Sequence, residues 1–165
     1  MSIKPDDILT AIAIGIGASL IMDIWNLFLR RAFGIHSLNY CFLGRWLLHM
    51  PGGRFRHASI TNAPEKPFEC AVGWIAHYTI GVVFALAFVV MVSTDWLESP
   101  TLLPALLYGI GTVVFPLFIM QPAFGFGIAA SRTPNPTQAR LKSFATHAIF
   151  GAGLYVCALG IGFLS

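Results

Sequence analysis

The chain has 165 residues, of which 56% are hydrophobic and 10% charged, and its formal net charge is +3. A soluble domain carries about 25% charged residues, so this composition excludes disorder and an ordinary soluble enzyme and makes lipid the natural solvent. Nine of the ten Lys and Arg gather in two loops and not on a basic face interleaved with aromatics, so the charge speaks for membrane topology and against a nucleic-acid partner.

A membrane-spanning helix needs about 20 mostly apolar residues. Four stretches meet that requirement, at about 8–29, 71–92, 102–120 and 144–164. The first is preceded by Pro5-Asp6-Asp7, where a proline and two carboxylates suit the first turn and its dipole. The acidic flank and the lack of a small-x-small site argue for a retained span over a cleaved signal peptide. The span continues through Gly15, Ser19 and Asp23, which recur at i+4, and stops at Arg30-Arg31.

In the loop that follows, Leu38, Phe42, Trp46 and Met50 recur at i+4, with Arg45 and Cys41 towards the other side. That pattern predicts a short amphipathic helix in the interface plane, ended by Pro51-Gly52-Gly53. His36, His49 and His57 have no ligand spacing and are read as solvated. Cys41, Cys70 and Cys157 give neither a CxxC nor a disulfide framework and are read as free thiols.

The second span carries Glu69, Gly73, His77, Gly81 and Ala85 on one stripe. Ser99-Pro100 then reads as a cap with proline at the first helical position. The third apolar run is interrupted by Pro116, Gln121-Pro122, Gly125 and Gly127, which predicts a kinked span and then a tucked segment. Gly125-x-Gly127 before Ser131-Arg132 is read as a tight turn, with an anion held by loop amides and Arg132 as the weaker alternative. Asn135-Pro136-Thr137-Gln138 predicts a helix start near Pro136. The fourth span carries Ser143, His147 and Gly151 on one stripe.

Arg30, Arg31, Arg45, Arg54, Arg56 and Lys66 lie in the first loop, and Arg132, Arg140 and Lys142 in the third. The second loop has Asp95 and Glu98 but neither Lys nor Arg. By the positive-inside rule, loops one and three face the cytoplasm and both termini lie outside. Aligning Gly15-Ile16-Gly17 with Gly109-Ile110-Gly111, and Gly73-x3-His77-x3-Gly81 with Ser143-x3-His147-x3-Gly151, suggests an internal repeat of two helix pairs.

The small residues turn each polar stripe inward. Asp23, His77, Gln121 and His147 then form a polar layer in the inner leaflet, with Glu69, Ser19 and Ser143 as further members. An ionisable group there costs about 2.5–3.5 kcal/mol and needs a partner or a purpose. Three readings stay open. The layer holds the bundle together as hydrogen-bonding glue. Alternatively His77, His147 and Asp23 ligate a transition metal, or the histidines a haem. In the third, the layer serves a proton or small-solute pathway. Arg45 and Arg132 are candidates for lipid-headgroup or anion contact.

The motifs Gly17-Ala18-Ser19-Leu20-Ile21-Met22-Asp23-Ile24-Trp25, Ser37-Leu38-Asn39-Tyr40, Gly44-Arg45-Trp46, Gly53-Arg54-Phe55-Arg56-His57, Gly73-Trp74-x2-His77-Tyr78, Met120-Gln121-Pro122 and the run from Gly127 to Pro136 carry a resemblance over nearly the whole chain. The chain resembles a bacterial inner-membrane family catalogued as domain of unknown function 2938. The resemblance implies four-span membrane architecture and a bacterial source, and carries over no catalytic residue. The expectation is therefore an all-α polytopic membrane protein, one four-helix domain with a short amphipathic cytoplasmic helix. It would handle a small solute, protons or a metal ion, with the lipid bilayer and a second copy of itself as partners. The alternative is a structural or accessory membrane protein that binds a partner or lipid.

Overall fold

The computed structural model describes residues 4–163, so Leu164, the expected last residue of span four, lies outside the described residues. The regular structure among those residues is entirely helical, with no strand. In chain order they form α1 (Pro5–Phe33), α2 (Tyr40–His49), α3 (Glu69–Val92), α4 (Asp95–Glu98), α5 (Leu102–Gly111), α6 (Gln121–Ala123) and α7 (Pro136–Gly162). Four segments have the length and apolarity to cross a membrane: α1, α3, the run Leu102–Ala123 and α7.

Local chemistry sets the boundaries. Asp7 accepts a hydrogen bond from the Lys4 amide at 2.9 Å, and Gly34 closes α1 in the left-handed conformation. Asn39 caps α2 through the Cys41 amide, and Asn135 caps α7 through the Gln138 amide at 3.1 Å. The expected Ser99 cap is not formed. Ser99 instead closes the short α4, its amide on the Asp95 carbonyl, and α5 begins after Thr101. The kink expected at Pro116 takes the form of a π-helical turn over Pro116–Met120, continuous with α6. A proline supplies no N–H for an i−4 bond, and the wider turn accommodates that gap.

The chain divides into two compact units. The first holds the chain up to His36, Tyr78–Thr112 and the chain from Ala145. The second holds Ser37–His77 and Val113–Phe144. In the first unit Ile14, Ala18, Phe88, Phe150 and Leu154 form a close-packed core, while Leu9, Ile24, Val90, Leu103 and Val156 point outward. Apolar residues on both the inner and outer faces are what a bundle dissolved in lipid requires.

One feature of the suggested repeat has a counterpart in this unit's packing. A Cβ on Gly15 would lie 2.7 Å from the Val82 Cα and 2.9 Å from the Gly81 carbonyl. One on Gly109, its aligned equivalent, would strike Gly151, the equivalent of Gly81, and lie 2.7 Å from the His147 carbonyl. Each half thus docks its first helix on its second at the same glycine pair.

In the second unit Leu43, Ile60, Ala123 and Phe124 form the core. The chain between α2 and α3 lies on the chain around α6: the His57 and Ile60 amides donate to the Ala123 and Phe124 carbonyls at 2.8 and 3.0 Å. Gly125 makes this possible. Its φ is +87°, and a Cβ there would collide with the Ala58 carbonyl.

Two expectations for loop one are corrected here. Cys41 and Cys70 are joined by a disulfide and only Cys157 is a free thiol. The pairing follows from the tight crossing of α2 on α3, where a Cβ on Gly44 would strike the Glu69 carbonyl and one on Gly73 the Tyr40 carbonyl. His49 and His57, read as solvated, are packed together with ring centroids 5.0 Å apart. His49 is buried and donates to the Pro64 carbonyl at 2.9 Å.

Candidate functional site

The expected polar layer distributes over both units, Asp23 and His147 in the first, His77 and Gln121 in the second. Each of the four has its own protein partner. In the first unit, α1 and α3 meet through Asp23, whose carboxylate accepts a hydrogen bond from the Tyr78 hydroxyl at 3.1 Å. One turn on, Asn26 lies on the same face of α1 (i+3) and is buried, and its Oδ1 makes no hydrogen bond among the described residues. The Nε1 of the intervening Trp25 is likewise buried and unpaired. Ser19, one turn earlier, donates to the Gly15 carbonyl of its own helix at 2.9 Å and packs against Gly81.

On the other half of this unit, Thr112 and His147 join the end of α5 to α7. The Thr112 hydroxyl lies 2.6 Å from the Gly109 carbonyl and 2.8 Å from His147 Nδ1. A hydroxyl has one hydrogen. Donated to the carbonyl, it leaves Thr112 to accept from His147, which places the neutral imidazole's proton on Nδ1 and makes Nε2 its basic nitrogen.

In the second unit the ring of His77 stacks on Tyr40 at 4.1 Å, with Trp74 edge-on at 6.0 Å. Gln121 is 8% exposed. Its Nε2 reaches the Ser143 hydroxyl only at 3.5 Å, and its Oε1 is buried without a hydrogen bond among the described residues. Buried polar atoms are nearly always paired with protein or ordered water, so such an oxygen marks a place for a donor.

Arg45 differs most from expectation. It points inward, 5% exposed, and does not reach for a headgroup. Its Nε and Nη2 grip the two oxygens of Glu69 at 2.8 and 2.6 Å, and Nη1 donates to the Ala63 and Ile60 carbonyls at 3.1 and 3.3 Å. Glu69 also accepts from the Lys66 amide at 2.9 Å. The Glu69 carboxylate holds the Arg45 guanidinium protonated even more firmly than usual. Burial pushes the pKa of His57 down, with His49 and Arg54 adding to the effect. Arg132 is exposed beside the Gly127 turn, and Arg140 donates to the Ala129 carbonyl at 2.7 Å.

Sequence reasoning missed Tyr78, Thr112, Asn26 and Trp25. Asn26 alone left a signal: a polar residue three positions from Asp23 in an apolar span. Among the described residues no group of three or more His, Cys, Asp or Glu is placed to hold a metal ion.

Comparison with known proteins adds one finding. Residues 12–161 match the family model described as Protein of unknown function (DUF2938), whereas no curated protein and no solved structure matches. With nearly its whole length inside that match, the chain belongs to the DUF2938 family.

Proposed function

We propose that this is a multi-pass protein of a bacterial inner membrane, with both termini outside, that handles protons or a small hydrogen-bonding solute at the Asp23 turn of α1. One observation carries the reading. The carboxylate bonded to Tyr78 sits within one turn of a buried acceptor, Asn26 Oδ1, and a buried donor, Trp25 Nε1, and neither of those two is paired among the described residues. At membrane depth such groups call for water or a polar ligand.

In this account Asp23 is the proton acceptor. Protonation removes its charge and weakens the bond from Tyr78, while Asn26 and Trp25 orient the incoming solute. His147, with its Nδ1 proton directed at Thr112, offers Nε2 as a hydrogen-bond acceptor. A single four-helix chain has little room for a pore of its own, so the working unit is a homodimer in the lipid bilayer. The metal alternative gains no three-ligand group among the described residues.

The test is proton entry into proteoliposomes that carry an internal pH dye, under an imposed gradient. The account expects entry well above protein-free vesicles, and a fall to that baseline for Asp23→Asn with its thermal midpoint little changed. Entry that is equal with and without protein, or unaltered by Asp23→Asn, overturns it.

A second reading is favoured by the aligned glycine contacts and by Ser19 satisfying itself on its own helix. In that reading the protein is a structural or accessory unit, and its polar residues are packing glue worth about 0.6–2 kcal/mol per contact. It expects Asp23→Asn to lower the thermal midpoint and to change no flux.

A further inference from the structure

We propose that Cys41 and Cys70 are a reversible redox pair: a modification site between α2 and α3 that opens by exchange with a cytoplasmic dithiol and closes by exchange with a disulfide such as oxidised glutathione, which is reduced to two thiols as the bond forms. The proposal rests on the cytoplasmic placement of the first loop that its Lys and Arg content implies. It is independent of the solute-handling reading.

The first observation is a mismatch between bond and compartment. Nine Lys and Arg lie in loops one and three, at Arg30, Arg31, Arg45, Arg54, Arg56, Lys66, Arg132, Arg140 and Lys142, and none lies in Ser93–Thr101. The disulfide therefore sits on the side where glutathione and thioredoxin keep thiols reduced. Disulfides found there are usually transient or redox-sensing.

The second observation is that the two cysteines are apposed by contacts that do not depend on the bond. Their Cα atoms are 3.9 Å apart across 29 residues of sequence. Gly44 and Gly73 seat the two helix backbones against one another, one turn along each helix from the cysteines. The bidentate Arg45–Glu69 pair locks the same crossing, with Glu69 adjacent to Cys70 and Arg45 one turn after Cys41. Opening the disulfide therefore leaves the two thiols facing each other, poised to close again. A bond needed only to staple the loop would add little to a crossing already fixed this way.

The third observation is access. Cys70 is exposed while Cys41 is half-buried. In the opening step a thiolate of the dithiol attacks the Cys70 sulfur, the Cys41–Cys70 bond breaks, and Cys41 leaves as a thiolate that takes up a proton. The second thiol of the reductant then attacks the mixed disulfide and releases Cys70 as a thiol. Two electrons and two protons pass to the protein, and the reductant departs as a disulfide.

Two measurements on the full-length protein test this. Acid quenching of growing cells followed by mass-tag alkylation reads the pair in place, with Cys157 as the internal free-thiol reference. The expected result is a mainly reduced pair that becomes oxidised on brief diamide treatment and recovers afterwards. A pair found wholly oxidised in unstressed cells, or one that diamide leaves reduced, overturns the proposal. In the second measurement purified protein is reduced with dithiothreitol and then exposed to oxidised glutathione. Apposed thiols close on each other at an effective concentration in the millimolar range or above, so the internal disulfide should outnumber the doubly glutathionylated form by about tenfold or more. Double glutathionylation as the main product shows that the thiols are not held together and also overturns it.

Discussion

Replacing Glu69 by glutamine should be among the most damaging single changes in the second unit. The carboxylate receives two charge-assisted bonds from Arg45, at 2.8 and 2.6 Å, and one from the Lys66 amide at 2.9 Å. Glutamine keeps one carbonyl acceptor, so the Lys66 bond and one guanidinium bond can survive. The second guanidinium bond becomes donor facing donor, and the buried positive charge loses its counterion. The remaining acceptors, the Ala63 and Ile60 carbonyls at 3.1 and 3.3 Å and the exposed Glu65 at 3.3 Å, are neutral or solvated. Breaking a buried pair from one side costs about 3–5 kcal/mol. With one bond retained, the lower end applies, and about 3 kcal/mol in a chain of this size lowers the thermal midpoint by about 6–12 °C. Differential scanning fluorimetry of the detergent-solubilised protein reads this directly. The pair Arg45→Met with Glu69→Leu removes both charges together and should recover at least half of the loss, because apolar replacement of a buried pair is often neutral. A Glu69→Gln midpoint within about 2 °C of wild type, less than 1 kcal/mol by the same scale, would refute the reasoning.

Three further outcomes follow from single contacts. Gly125→Ala meets both an unfavourable φ of +87° and the Ala58 carbonyl, so it should cost about 1–3 kcal/mol and speed tryptic cleavage at Arg54 and Arg56; unchanged cleavage would contradict the packing of that segment. Gly81→Ala drives a methyl into the Ser19 hydroxyl and should destabilise by about 1–3 kcal/mol, whereas Gly160→Ala meets nothing within 4 Å and should not lower the thermal midpoint. His57 has its folded pKa below the ordinary value of 6.5, chiefly through burial. As pH falls through 6.5 the unfolded chain takes up a proton that the folded chain refuses, so stability declines until the folded pKa is passed. The His57→Gln variant should show a flatter decline of thermal midpoint between pH 7 and 5, and an identical slope would refute this.

The spans were legible because length and apolarity are properties of composition, and the start of α7 because Asn135-Pro136 is a cap that needs no tertiary context. One pair of aligned glycines has a packing counterpart, since Gly15 closes on Gly81 and Gly109 on Gly151, whereas Gly17 meets Cys157 and its aligned Gly111 meets nothing within 4 Å. The inward turn of Arg45 was not legible. A helical wheel of α2 shows two faces but not that the chain from Phe55 to Glu65 covers the one bearing Arg45 and His49. That covering depends on backbone bonds to Ala123 and Phe124, more than 60 residues further on. The Cys41–Cys70 bond was hidden for a related reason: its register is set by Gly44 and Gly73, which as residues promise only close approach. Asp23 and His147 were found from their charge in an apolar span. Their partners were missed for different reasons: a threonine hydroxyl such as that of Thr112 can bond its own helix backbone, as it does at Gly109, and so signals nothing by itself, and Tyr78 reads from the sequence as one more aromatic residue of an apolar span.

The central claim is that the Asp23 turn of α1 is open to polar solutes. The most direct measurement is labelling of an Asn26→Cys variant, in membranes and in a background with Cys41, Cys70 and Cys157 replaced by serine, with a charged methanethiosulfonate reagent that reacts only with hydrated thiolates. Ile24→Cys, at a position 58% exposed on the outward apolar face, is the control. The account predicts that the Asn26→Cys variant labels, that the Ile24→Cys variant does not, and that Asp23→Asn alters the labelling rate. An Asn26→Cys variant that stays as silent as the control would contradict it and leave the polar turn as packing alone.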